Sequence, residues 1–313
     1  MIATTVQIVT IESDYAGQRI DNFLMTRLKN VPKTRIYRLL RKGEVRVNKK
    51  RIDPSYRLLA GDLVRIPPLK LEVSKASPQP HPSLVETLTQ RILYEDNALL
   101  IINKPSGIAV HGGTGLKFGL IEALRTMYPK SPQLELAHRL DLETSGCLVI
   151  AKKRSALREL HDLLREGHVH KVYYALTKGH WKATELRVEL SLQKNHLSSG
   201  ERIVKVNKDG KPSLTIFEPV QSYTEAMLVE ATLHTGRTHQ IRVHAQHRGH
   251  PLAGDEKYGD RDFNKYMRQL GLKRLFLHAH LLEFTLPSSG QKISVKAPMD
   301  LELETCLSKL ALL

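Results

Sequence analysis

At 313 residues the chain is longer than one typical domain and implies two. Hydrophobic residues make up 41%, enough for a sizeable core, yet no apolar run approaches the roughly 18 residues of a membrane span, which argues against a membrane protein. The net charge is +16, from 48 Lys and Arg against 32 Asp and Glu. Such a surface suits a polyanionic partner, because it gains free energy by releasing counterions from phosphates. The opening stretch, MIATTVQIVTIESD, has no basic and apolar regions of a signal peptide. Cys147 and Cys306 lie in apolar runs and are expected as packed thiols, so the expectation is a cytoplasmic protein.

The charge is unevenly placed. Residues 17–70 hold 15 Lys and Arg and four acids (Asp21, Glu44, Asp53, Asp62), so +11 of the total sits in a small N-terminal unit. There Ile20, Phe23, Leu24 and Leu28 recur at helical spacing. A second helix is bracketed by Pro32 and Gly43, with Ile36, Leu39 and Leu40 on one face. Arg35, Arg38 and Lys42, three and four apart, project together from another face. An alternating strand over 44–48 leads to the basic turn Lys49, Lys50 and Arg51, and 63–66 makes a closing strand. The bland alternative for this unit is a solvated basic helix without a ligand.

Residues 71–88, with Pro78, Pro80 and Pro82, are expected to be a semi-rigid extended linker to a second domain over 89–313. That domain begins with short strands near 92–94 and 98–102, a Gly-rich loop at Val110-His111-Gly112-Gly113, and a helix over 120–127. The loop lacks phosphate-loop spacing, and no GxGxxG follows a strand, so nucleotide and dinucleotide cofactors are unsupported. The run Cys147 to Ala151 is a buried strand, 156–166 an amphipathic helix, and 169–177, 203–206, 215–220 and 226–233 are strands. Short turns between strands imply an α+β fold with a mixed, largely antiparallel sheet.

The string His138-Arg139-Leu140-Asp141-Leu142-Glu143-Thr144-Ser145-Gly146 sets a carboxylate just before a core strand, a rigid support for a nucleophile. On local chemistry alone an Arg-x-Asp pair in a turn is more often a structural ion pair. HRLDxxTSG, however, resembles the signature of the RluA-type pseudouridine synthases, which convert uridine to pseudouridine in RNA. Two further strings match that family in order: ILYEDNALLIINKPSGIAVHGG before it and HTGRTHQIRVHAQHRGHPLAGDEKYG after it. The N-terminal strings GQRIDNFL, PKTRIYRLLRKGEVRVNKKR and GDLVRI resemble an S4 RNA-binding domain, which ribosomal large-subunit members of the family carry.

The resemblance implies roles residue by residue. Asp141 is the nucleophile or electrostatic partner, acting at the sugar or at the base. Arg242 is its partner, since a carboxylate in a closed site needs a counter-charge and Arg supplies a permanent, bidentate one; the alternative for Arg242 is a surface RNA contact. Tyr173 is the ring beside the uracil. Tyr174 is the alternative, and strand alternation allows only one of the two to face the site. Arg139 enters the RNA stack vacated by the extruded uridine, or else meets a phosphate. Arg35, Arg38, Lys42, Lys49, Lys50 and Arg51 bind RNA. His234, His239, His244, His247 and His250 are not expected to hold a metal, because no Cys or acidic ligand completes a zinc-like set and Arg residues intervene. The implied partner is large-subunit ribosomal RNA, met by a monomer with no cofactor and no membrane. The rivals are a non-catalytic ribosome-assembly factor of the same fold and a metal-dependent nuclease built on the His run.

Overall fold

A computed structural model describes residues 5–28, 31–69, 82–112, 119–129, 131, 134–182, 186–196 and 202–313. The chain divides into two compact units, Met1–Gln79 and Pro80–Leu313.

The first unit contains β1 (Gln7–Thr10), α1 (Ile20–Arg27), α2 (Lys33–Arg41), β2 (Arg46–Val47) and β3 (Leu63–Ile66). The strands form an antiparallel sheet in the order β1-β3-β2. Helical spacing brings Ile20, Phe23 and Leu24 of α1 and Ile36, Leu39 and Leu40 of α2 into one core with Val45, Val64 and Ile66. The expected strand at 44–48 is shorter, because Asn48 and Lys49 adopt left-handed backbone (φ 48° and 66°) and turn the chain at once. The unit also reaches back past residue 17: β1 pairs with β3, and its mostly exposed side chains gave little hydrophobic signal.

The expected extended linker lies partly outside the described residues, at 70–81. Over 82–88 that expectation fails, because Pro82–Thr89 is a helix, α3. Pro82 fits its first turn, where a missing N–H costs little, and Leu88 is fully buried in the core of the second unit.

The second unit continues with β4 (Ile92–Glu95), β5 (Leu99–Lys104), α4 (Leu120–Met127), β6 (Glu135–Leu136), β7 (Ser145–Ala151), α5 (Arg154–Glu166), β8 (His170–Lys178), β9 (Leu186–His196), β10 (Arg202–Val206), β11 (Lys211–Ser222), β12 (Ala226–Leu233), α6 (Gln240–His247), α7 (Arg261–Gln269), β13 (Leu277–Thr285), β14 (Lys292–Lys296) and α8 (Leu301–Leu310). One sheet runs β10-β9-β11-β12-β8-β13-β7-β5-β4, with β14 beside β13 and β6 beside β7. Among the described strands every pair is antiparallel except β7 with β13. The fold is therefore α+β with a mixed, largely antiparallel sheet.

Both faces of the sheet are covered. Leu100, Ile102, Leu148 and Ile150 meet Ile121 and Leu124 of α4 and Ile241 and Ala245 of α6 on one face. Leu99, Ile101, Cys147 and Val149 meet Leu157, Leu160 and Leu163 of α5 on the other. This accounts for the uninterrupted apolar run of β7, all seven of whose residues are buried. Both cysteines are buried free thiols, and burial pushes the Cys147 thiol up to about 12. Gly146, the second residue of β7, has φ +110°, and a β-carbon there would stand 2.2 Å from the carbonyl oxygen of Ala279. Only glycine lets β7 and β13 lie this close, which fixes where the preceding loop leaves the sheet.

Candidate active site

The loop between β6 and β7 is stapled from beneath. The fully buried Lys104 donates from Nζ to the carbonyls of Pro105, Ile108 and Leu142 at 3.0, 2.9 and 3.1 Å. The Gly107 N–H reaches the same Leu142 carbonyl at 2.9 Å, and Ser106 Oγ reaches the Glu143 carbonyl at 2.7 Å. Burial lowers the Lys104 ammonium to about 7, against three carbonyls that favour its charge. With the backbone fixed, the side chains alternate. His138 accepts the Val149 N–H on Nε2, Arg139 is exposed, Leu140 enters the core, and Asp141 lines a cavity. Loss of solvent lowers His138 to about 4, in keeping with the neutral ring that this bond requires.

That cavity, of about 360 Å³, is lined by Arg139, Asp141, Tyr173 and Arg242 together with Lys171, His239 and Leu277. It opens over the middle of the sheet because of strand register. Tyr173 on β8 lies opposite Ala231 on β12 and Ala279 on β13, so two small neighbours leave room above it. Its ring is 7% exposed, and burial, then the Asp141 charge, pushes its hydroxyl well above the ordinary tyrosine range. Tyr174 points to the opposite face and packs tilted against His280, ring centroids 4.3 Å apart. The side chain at the cavity is therefore Tyr173.

Arg242 belongs to the first turn of α6, whose start is anchored by Gln240. The Gln240 amide accepts from Thr235 Oγ1 and the Arg237 N–H, and donates to the Leu214 carbonyl and Thr215 Oγ1. The guanidinium is shared in a way the sequence did not suggest. Its Nε and Nη2 form a fork to Asp255, both bonds at 2.7 Å, while Nη1 stands 3.8 Å from Asp141 Oδ2. Burial alone would raise the Asp255 carboxyl, but Arg242 and the N–H groups of Tyr258 and Lys257 outweigh it and hold it below its usual range. Gly254, at φ +72°, allows the backbone to pass against the Arg274 carbonyl and deliver Asp255 there. Asp255 lies inside a string recognised in the sequence, yet nothing in that string pointed to Arg242, thirteen residues away across a helix end.

His239 also faces Asp141, with Nε2 3.7 Å from Oδ2. The other histidines go elsewhere. His244 bonds Ser213 Oγ at 2.9 Å, His250 stacks on Trp181, and His234 and His247 are exposed. Among the described residues no group of three or more His, Cys, Asp or Glu is placed to hold a metal ion. In the first unit Arg35, Arg38, Lys42, Lys49, Lys50 and Arg51 are all exposed. Arg51 is also structural: it packs beneath Gly43 and donates to the Arg41 carbonyl.

Residues 98–247, which carry every cavity-lining group named here except Leu277, match the RNA pseudouridylate synthase family, and residues 18–64 match the S4 domain. The chain is 56% identical over 309 residues to the ribosomal large subunit pseudouridine synthase C of Escherichia coli K12, covering 98% of this chain and 97% of that one. The chain belongs to the RNA pseudouridine synthases. The enzyme of the same name from Haemophilus influenzae is 54% identical over 311 residues, covering 99% and 97%. Two human structures share the fold of this synthase. RNA pseudouridylate synthase domain containing 4 has a TM-score of 0.60 at 26% identity over 73% of this chain and 96% of its own. RNA pseudouridylate synthase domain containing 1 gives 0.59 at 27% over 73% and 90%. The synthase is thus an isomerase, and its chemistry must be found in a site that breaks and remakes one bond to uracil.

Proposed function

We propose that this synthase isomerises specific uridines in large-subunit ribosomal RNA, with Asp141 as nucleophile, Arg242 as its counter-charge and Tyr173 as the ring beside the uracil. One observation carries the reading: these three side chains, far apart in sequence, line one cavity, and Arg139 stands exposed next to the nucleophile. The reaction breaks C1′–N1, turns the uracil while it stays bound, and joins C5 to C1′, the C5 proton leaving as the freed N1 takes one up. No atom is gained or lost, so no cosubstrate or cofactor is needed, and one chain supplies all three groups. We therefore take the working form to be a monomer without cofactor, in the cytoplasm. A carboxylate acting at a sugar carbon has parallels in glycosidases. Addition at C1′ and addition at the base both bring uridine against the same carboxylate.

A uridine within folded RNA must leave its stack to reach Asp141, and Arg139 is positioned on the loop to take its place. The first unit, with Arg35, Arg38, Lys42, Lys49, Lys50 and Arg51, supplies phosphate contacts that fix the RNA without reading the target base. No helix among the described residues is long and apolar enough to cross a membrane. The test is a map of pseudouridine in total RNA from cells lacking the protein, complemented with the wild type or with Asp141→Asn. The reading expects sites in large-subunit RNA that vanish on deletion and return only with the wild type. An unchanged map, or rescue by the Asn variant, refutes it.

A further inference from the structure

His239 stands in left-handed backbone, φ 54° and ψ 22°, immediately before α6. For a residue with a β-carbon this conformation is strained, and glycine avoids the strain. A histidine there needs a reason in its side chain. Tyr258, 3% exposed, supplies the first part. Its hydroxyl oxygen accepts the Val204 N–H at 2.9 Å and lies 2.8 Å from His239 Nδ1. A buried phenol hydrogen needs an acceptor, and among the described residues Nδ1 is the one within reach. The Tyr258 hydroxyl therefore donates to Nδ1, which leaves the ring hydrogen on Nε2, the nitrogen that faces Asp141.

Asp141 supplies the second part. Both of its close neighbours, His239 Nε2 at 3.7 Å and Arg242 Nη1 at 3.8 Å, approach the same oxygen, Oδ2. Arg242 cannot move freely to Asp141, since two of its nitrogens are held by Asp255. We propose that His239 is a positioning residue for the nucleophile: a neutral ring, fixed by Tyr258 as the Nε2–H tautomer, that with Arg242 orients the Asp141 carboxylate for attack. This rests on the reading of Asp141 as nucleophile.

Distances near 3.7 Å in the free enzyme shorten when substrate excludes water, as hydrogen bonds of active sites commonly do. A neutral donor also suits the task better than a second cation, because it orients the carboxylate while quenching its charge less. The groups around the ring agree with neutrality. Burial lowers its pKa first; Asp141 and Asp255 raise it, Arg242 and Lys257 lower it, and the balance lies below the ordinary value.

Three substitutions separate side chain from backbone. His239→Gly keeps the left-handed turn and removes both nitrogens. His239→Asn tolerates the turn and places its amide near the Nδ1 position, toward Tyr258. His239→Gln places an amide nitrogen where Nε2 was, toward Asp141. The Gly and Asn variants are expected to lose on the order of 10- to 100-fold in kcat, as misplacement of a reacting group does, with KM for RNA little changed. The Gln variant recovers part of that loss. Nitrogen-15 NMR of the full chain, with the His239 signal assigned from the Asn variant, should show the Nε2–H tautomer in the wild type and lose that preference in Tyr258→Phe. Wild-type kcat in His239→Gly overturns the proposal, as does an Nδ1–H tautomer in the wild type, which is decisive even if a variant fails to fold. Asp141→Asn in parallel keeps the two ideas apart. Turnover there defeats the nucleophile, whereas a dead Asn variant beside a fully active Gly variant defeats only the role of His239.

Discussion

Asp255→Ala isolates the least visible part of the site. The carboxylate is 1% exposed and Arg242 5%, and two 2.7 Å bonds join them. Removing Asp255 leaves the buried Arg242 without its fork and with only the Asp141 charge, 3.8 Å away, to face, and breaking a buried pair costs about 3–5 kcal/mol. For a folding unit of this size each kcal/mol is worth roughly 2–4 °C, so the melting point should fall by roughly 6–20 °C. Trp181 is the single tryptophan and is buried in the second unit, so its fluorescence follows that unit alone. The double change Arg242→Met with Asp255→Leu removes both charges and keeps apolar volume. It should regain most of the lost stability and remain inactive, separating the fold's need for the pair from the reaction's need for Arg242. A melting point for Asp255→Ala within about 2 °C of wild type, or a double variant no more stable than the single one, refutes the argument.

Tyr173→Phe keeps the ring but loses the buried hydroxyl and should be slow or dead in a pseudouridine assay, while Tyr174→Phe, on the far face of the strand, should stay within a few-fold of wild type. Lys104 falls from 10.5 in the unfolded chain to about 7 in the fold. Between those values the unfolded chain binds more protons, so its contribution to stability is full above about 10.5 and is lost as pH falls through about 7. Urea midpoints should therefore rise with pH across that window, and Lys104→Met should flatten the rise. Deleting residues 1–79 removes most of the basic excess and should weaken RNA binding, with a shallower log–log salt dependence by about 0.7–0.9 per lost phosphate contact. Parallel salt slopes for the full and shortened chains would show that the first unit does not touch phosphate.

The parts of the site set by local pattern were legible in the sequence. The carboxylate before an apolar strand was legible, though its part in the site rests on the family resemblance, and period-2 geometry says that only one of Tyr173 and Tyr174 faces inward. The helical faces of the first unit follow from 3.6-residue spacing. What stayed hidden depends on long-range packing. Residues 240–247 look polar, with Gln240, Arg242 and His244 interrupting the apolar positions, yet all three are buried because each finds a buried polar partner. The Arg242–Asp255 fork joins a helix to a turn that no spacing rule connects. Five histidines in seventeen residues look equivalent, and only register and the left-handed turn at His239 bring that one to Asp141. Over 82–88 the prolines suggest an extended linker, whereas Pro82 starts a helix.

The central claim is that Asp141 performs the chemistry while RNA is held mainly by other groups. It is tested most directly by purifying Asp141→Asn and measuring, on one ribosomal RNA fragment, both pseudouridine formation and RNA affinity. The change keeps the shape of the side chain and removes its charge. No detectable pseudouridine is expected at enzyme in excess over RNA, with affinity within a few-fold of wild type because phosphate contacts dominate binding. Measurable pseudouridine from the Asn variant would contradict it.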